Sequence, residues 1–307
     1  MKLLSHRFAR WRSPIAFSLL EILVAVGILA LIIVGLLAMF YQTQRAFRSG
    51  SMQVDVLESG RAISQLLSHE LQDLTLPGQA PKTNLAAVSY PPLVLPLTSG
   101  GNGQTREYRL QDLIFLTFRT RTNDEWVGTI YTIGDAGPNA GLGVATLYEY
   151  STTVPLDPAS SPSDTLNRLY ANLWNVYAAM KNGPLASGFH RVADGIVHFK
   201  LLAYNADGLL YRYTNSFGNS FGGLAAINVG DDDYDYYFTN YLPSYLDLEL
   251  GVLDPRAVAQ FRARVAATNL PLQIGNPGAW SYLTSHVGSI HLFKERIPIR
   301  NSPTDAP

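Results

Sequence analysis

No cysteine occurs in the 307 residues. Disulfide staples and thiolate metal sites are therefore excluded, while the compartment stays open, because oxidising spaces permit disulfides without requiring them. Charge is sparse at 15% of residues, with 23 Lys+Arg against 24 Asp+Glu. Four of those cations, Lys2, Arg7, Arg10 and Arg12, fall within the first sixteen residues, and no acid lies among them. The remainder is acidic and rich in tyrosine, which suits phosphate poorly, so no nucleic-acid partner is expected. The six histidines are scattered singly, none at metal-ligand spacing. Gly134, Gly137, Gly141 and Gly143 lack the Lys-Ser/Thr of a phosphate loop. At 47% apolar content, the chain still has enough to bury a sizeable core, in one large or two small domains.

The longest uncharged run that is also apolar throughout extends from Ile22 to Tyr41. As a helix rising ~1.5 Å per residue it spans ~30 Å, the hydrocarbon thickness of a bilayer. The basic residues ahead of it favour a cytoplasmic N-terminus. Glu21 stands at the lip of this run, where an ionised carboxylate is costly and implies a function and a cationic partner. A secretory signal peptide would have an apolar core of only ~7–15 residues and a small-x-small cleavage site. This run is longer and continues into a polar helical pattern. An unprocessed signal anchor, with Glu21 incidental, is the other plain alternative.

A short basic leader, then Ala16-Phe17-Ser18-Leu19-Leu20-Glu21 and an apolar helix, closely resembles the prepilin signal of type IV pilins and type II secretion pseudopilins. The resemblance implies cleavage between Ala16 and Phe17 by a membrane-embedded prepilin peptidase on the cytoplasmic side, followed by N-methylation of Phe17. Glu21 then becomes the fifth mature residue, where the family keeps its glutamate. The family usually has Gly before the cut. Ala16 is also small, so slower processing is expected rather than none.

From Gln42 to Leu74 there is no proline, and only Gly50 and Gly60 interrupt good helix formers. Val56, Ile63, Leu66, Leu67, Leu71 and Leu74 recur at helical spacing, with charged residues largely between them. Pro77-Gly78 ends the pattern. One helix from Phe17 to near Leu74 is expected, half in lipid and half on a soluble domain; two helices broken near Arg48-Ser49-Gly50 are the alternative. Residues 77–105, with five prolines and a Gly-rich tract, read as loop. Strands are expected over Tyr108–Arg119, Trp126–Ile133, Val144–Tyr150, Ile196–Tyr204 with a hairpin partner at Leu209–Thr214, Tyr245–Val252 and Ser289–Ile299. Two further helices are expected, one capped by Asp164 and one opened by Asp254-Pro255.

The fold class that follows is α+β, a long N-terminal helix on an antiparallel sheet with inserted helices and loops. Pilins share this architecture. The expected divisions are a leader over 1–16, a transmembrane half-helix over 17–44, a soluble half-helix over 45–76 and a globular domain over 77–307. Residues 188–199 and 242–250 resemble the C-terminal half of J-type minor pseudopilins.

Little catalytic chemistry is visible. Gly218-Asn219-Ser220-Phe221-Gly222 matches a hydrolase nucleophile elbow, with Asp231 and His286 in permissive order, but it lies in a direct Asn-Ser-Phe-Gly repeat without the alternating βα units that fold needs. Asp231, Asp233 and Asp235 alternate like the start of a calcium loop, yet the following glycine and the distal Glu are missing. A solvated acidic loop and a calcium site both remain open. The expected protein is a minor pilin or pseudopilin, not an enzyme. Its implied partners are the prepilin peptidase, other pilins through the N-terminal helix, an inner-membrane assembly platform and the lipid bilayer, with the C-terminal domain extracytoplasmic. The alternative is a membrane-tethered binding or adhesion module that never polymerises.

Overall fold

A computed structural model describes residues 18–75, 84–90, 93–96, 105–119, 124–133, 144–155, 162–182, 187–211, 224–230, 233–238, 242–268, 283, 286 and 289–300. The chain divides into two compact units, Met1–Ser51 and Met52–Pro307. Helix α1 (Leu19–Gln72) runs through the division as one element, with no break at Gly50. A single interior glycine costs only about 1 kcal/mol relative to alanine, too little to interrupt so long a run of helix formers.

In the second unit a nine-stranded sheet is antiparallel throughout. Its strands are β1 (Leu85–Ser89), β4 (Gln111–Arg119), β5 (Glu125–Ile133), β6 (Ala145–Pro155), β7 (His190–Tyr204), β8 (Leu224–Gly230), β9 (Asp233–Phe238), β10 (Tyr245–Leu253) and β11 (Ile290–Pro298), in the order β11-β10-β7-β6-β5-β4-β1-β9-β8. A separate hairpin joins β2 (Leu93–Pro96) and β3 (Thr105–Tyr108). Helices α2 (Pro162–Asn182) and α3 (Pro255–Thr268) complete the α+β fold.

Period-two alternation sorts the sheet's side chains between two cores. Leu113 and Phe115 of β4 join Ile63, Leu67 and Leu71 of α1, while Ile114 and Leu116 turn to Leu166, Leu169 and Leu173 of α2. That is why β4 reads as apolar on both faces. Two glycines permit close approach of a helix. A Cβ on Gly60 of α1 would lie 2.1 Å from Phe293 of β11, and one on Gly128 of β5 would lie 2.2 Å from Leu173. α3 packs Val258 and Phe261 against Val197 and Leu253.

The sheet also curls. Beyond Ile196, β7 leaves β6 and meets the residues that open β4, three places away in the strand order. Phe199 N–H donates to the Arg109 carbonyl at 2.6 Å, and Leu201 N–H donates to Gln111 Oε1 at 2.6 Å.

Several expectations need correction. Residues 77–105 are not all loop, because Leu85–Ser89 is an interior strand between β4 and β9. Leu85, Ala86 and Ala87 are all buried, so a two-sided strand of five residues is hidden among prolines. β8 and β9 fall where no strand is expected. The partner of the Asn205–Gly208 turn reaches only a single bridge, Tyr204 to Leu210, before residues outside the described set. The turn itself is as expected: Asn205 Oδ1 accepts the Leu209 N–H at 2.8 Å, and Gly208 takes φ +80°.

Candidate functional site

The first described residues of α1 form a reciprocal cap. Ser18 N–H donates to Glu21 Oε2 at 3.2 Å, and Glu21 N–H donates to Ser18 Oγ at 3.2 Å. This is a capping box, in which a hydroxyl and a carboxylate three residues apart satisfy two N–H groups at the helix start. The Ser-x-x-Glu spacing was visible in the sequence and supplies a local use for Glu21 beside the assembly role that the resemblance implies. Ala16 and Phe17, the two sides of the expected cleavage, lie outside the described residues.

Downstream of the cap every residue to Ser51 is exposed, among them Leu23 at 65%, Leu31 at 75% and Phe40 at 58%. The stretch is long and apolar enough to cross a membrane. Burial begins at Met52 and Val56 and then recurs at Gly60, Ile63, Leu67 and Leu71, one stripe of the helix. The same helix therefore changes from apolar all round to apolar on one side.

The end of the acidic patch is strand rather than loop. Residues 233–238 are strand β9, held between β1 and β8. Asp235 Oδ1 accepts the Ser89 N–H at 2.6 Å, so the carboxylate takes the place of a ladder carbonyl where the β1–β9 pairing ends. The structure describes Asp235 in this bond; Asp231 and the side chain of Asp233 lie outside what it describes. No group of three metal-ligating side chains comes together among the described residues. Ser220 of the elbow-like segment also lies outside them.

Two buried polar clusters escaped sequence reasoning. Asp112 of β4 is fully buried and accepts hydrogen bonds from Tyr90 Oη at 3.0 Å, Thr132 Oγ1 at 2.9 Å, the Ile133 N–H at 3.1 Å and Tyr177 Oη at 3.1 Å. Burial, and next the charge of Asp112, push both phenols above their ordinary range, so they stay protonated as donors. Tyr177 is on α2, so the cluster fastens that helix to the sheet. A lone acid at the head of an apolar strand was the available signal.

The second cluster is His198, Glu249 and Lys294 on β7, β10 and β11. His198 Nδ1 accepts the Arg109 N–H at 2.8 Å, which places its proton on Nε2, facing Glu249 Oε2 at 3.1 Å. Lys294 donates to the other oxygen of Glu249. The His198 hydrogen bond, with Lys294 beside it, holds the Glu249 carboxyl down at about 2. With both ring nitrogens engaged, His198 has no free lone pair for general-base work, and the cluster acts as a cross-strand tie.

Comparison with known proteins matches this chain to no family model, no curated protein and no solved structure.

Proposed function

We propose that the chain is a minor pilin or pseudopilin, a structural subunit of a type IV pilus or type II secretion pseudopilus. In this reading a prepilin peptidase cuts between Ala16 and Phe17 and the new amine on Phe17 is methylated. The apolar half of α1 sits first in the bacterial inner membrane and then in a filament of like helices, with the C-terminal domain outside the cytoplasm. The observation that carries the reading is one uninterrupted helix whose first part is exposed and apolar and whose second part is buried on an antiparallel sheet. An exposed span of that composition needs a lipid or protein environment. The leader and the Phe-Ser-Leu-Leu-Glu sequence supply the specific family resemblance.

Intact mass of the membrane-extracted protein from cells with a prepilin peptidase tests the processing step. The expected species begins at Phe17. A chain that stays full length beside the peptidase, or that is cut near residue 40, overturns the assignment.

The capping box favours a second reading, a membrane-tethered binding module in which Glu21 serves only its own helix. The two readings part over whether the charge of Glu21 or only its hydrogen bond is required.

A further inference from the structure

At the C-terminal end of α1, Glu70 faces the sheet. Tyr131 of β5 donates its hydroxyl to Glu70 Oε2 at 2.8 Å. In the β5–β6 register Tyr131 stands directly opposite Glu149, so a second carboxylate lies on the sheet beside the phenol. One hydroxyl carries one proton, and an ionised carboxylate can only accept. With both acids ionised, Tyr131 can satisfy only one of them, and the other meets a lone pair and a like charge. If Glu70 takes a proton, Glu70 O–H can donate to the Tyr131 oxygen, which frees the Tyr131 O–H to turn to Glu149 opposite it.

We propose that Glu70, Tyr131 and Glu149 form a proton-responsive clamp that holds the end of α1 to β5 and β6 more tightly in acid than at neutral pH. The other charged groups around Glu70 are His69 of α1, Asp73 just beyond the helix and Arg119 at the end of β4. Arg119 and His69 favour its ionised form, while Asp73 is engaged by Arg300 at 3.3 Å. Burial is the largest influence; it outweighs the Tyr131 hydrogen bond and these cations, which all favour ionisation, and lifts the Glu70 carboxyl above its ordinary value, with Glu149 adding to the lift. Folding therefore favours the protonated form. The contribution is fully present below the ordinary carboxyl range and is lost as pH rises through the raised value. A cleft of about 70 Å³ beside Glu70, lined also by Phe115, Thr117 and Thr129, gives the carboxyl a route to solvent protons.

The test is hydrogen exchange on the full chain in detergent micelles, read as protection factors for the last two turns of α1 between about pH 4 and about pH 8. Wild-type protection is expected to fall by about tenfold for each unit by which the carboxyl is lifted. Glu70→Gln, which cannot ionise, should hold the acid-side protection across the range. Glu149→Gln removes the opposing charge from the sheet side and should shrink the fall even if Glu70→Gln folds poorly. A flat wild-type profile overturns the proposal, and so does a fall in either variant as steep as in the wild type.

Discussion

Alanine at Gly128 adds one methyl group where β5 meets α2, and its consequence can be worked out from the packing. The new Cβ would lie 2.2 Å from Leu173 Cδ1, 2.9 Å from Cγ and 3.1 Å from Cδ2. Leu173 is 1% exposed within the cluster of Ile130, Leu169 and Trp126, so it cannot swing into solvent. Overpacking of this kind costs about 1–3 kcal/mol. Replacing a strand glycine returns about 0.5–1 kcal/mol of backbone entropy, leaving a net loss of about 0.5–2 kcal/mol. Leu173→Ala alone should cost about 2–5 kcal/mol through its cavity. In the double variant the added methyl has room, so the clash disappears and the entropy gain stays. The double variant should then be no less stable than Leu173→Ala alone, with a coupling of about 1–3 kcal/mol by denaturant unfolding of the full chain in micelles. Losses that add to within about 0.5 kcal/mol would refute the placement of α2 over Gly128.

Glu249→Gln should lower the melting temperature at neutral pH but remove part of the acid-side loss. The carboxyl is held down at about 2, so its stabilising contribution is present above the ordinary 4.5 and fades as pH falls towards 2; equal acid profiles would contradict the His198–Glu249–Lys294 tie. Asp235→Ala should cost about 1–3 kcal/mol without any calcium, and Asp235→Asn less, because the Ser89 N–H loses its acceptor only in the first. If the patch also holds calcium, millimolar calcium raises the melting temperature and Asp233→Ala abolishes the rise; no shift in the wild type removes the calcium reading.

Much of the fold was legible because its signals were periodic. Of the expected α2 stripe Leu166, Leu169, Tyr170, Leu173, Tyr177 and Met180, all but the half-buried Tyr170 form the buried face, and the alternation Leu246, Leu248, Leu250 marks β10. The Asp254-Pro255 opening of α3 was also plain, and Asp254 Oδ1 accepts the Arg256 N–H at 2.9 Å. β1 was lost because a short strand buried on both faces has no alternation to detect. β9 was lost because its acids resemble a loop, although Tyr236 and Phe238 just after them are fully buried. At the candidate site, Ser18 and Glu21 were visible as a spacing, but their joint use as a cap required coordinates. Asp112 and the Glu70–Tyr131–Glu149 cluster bring together residues far apart in the chain, and no local pattern announces such pairings.

In the proposed assembly, α1 joins other pilin-like helices through the charge on Glu21. Glutamine at position 21 keeps a side chain able to close the capping box but carries no charge, whereas valine loses both. Membrane insertion, cleavage after Ala16 and folding of Met52–Pro307 should survive both substitutions, because an uncharged side chain at the lip of the span eases insertion. The decisive measurement is crosslinked co-assembly with partner pilins in cells expressing the wild type, Glu21→Gln or Glu21→Val. The account predicts assembly in the wild type and failure in both variants, since two unpaired charges in lipid are costly and the carboxylate is needed to neutralise a neighbour's Phe17 amine. Wild-type assembly by Glu21→Gln would contradict it and leave Glu21 as a helix cap on a tethered module.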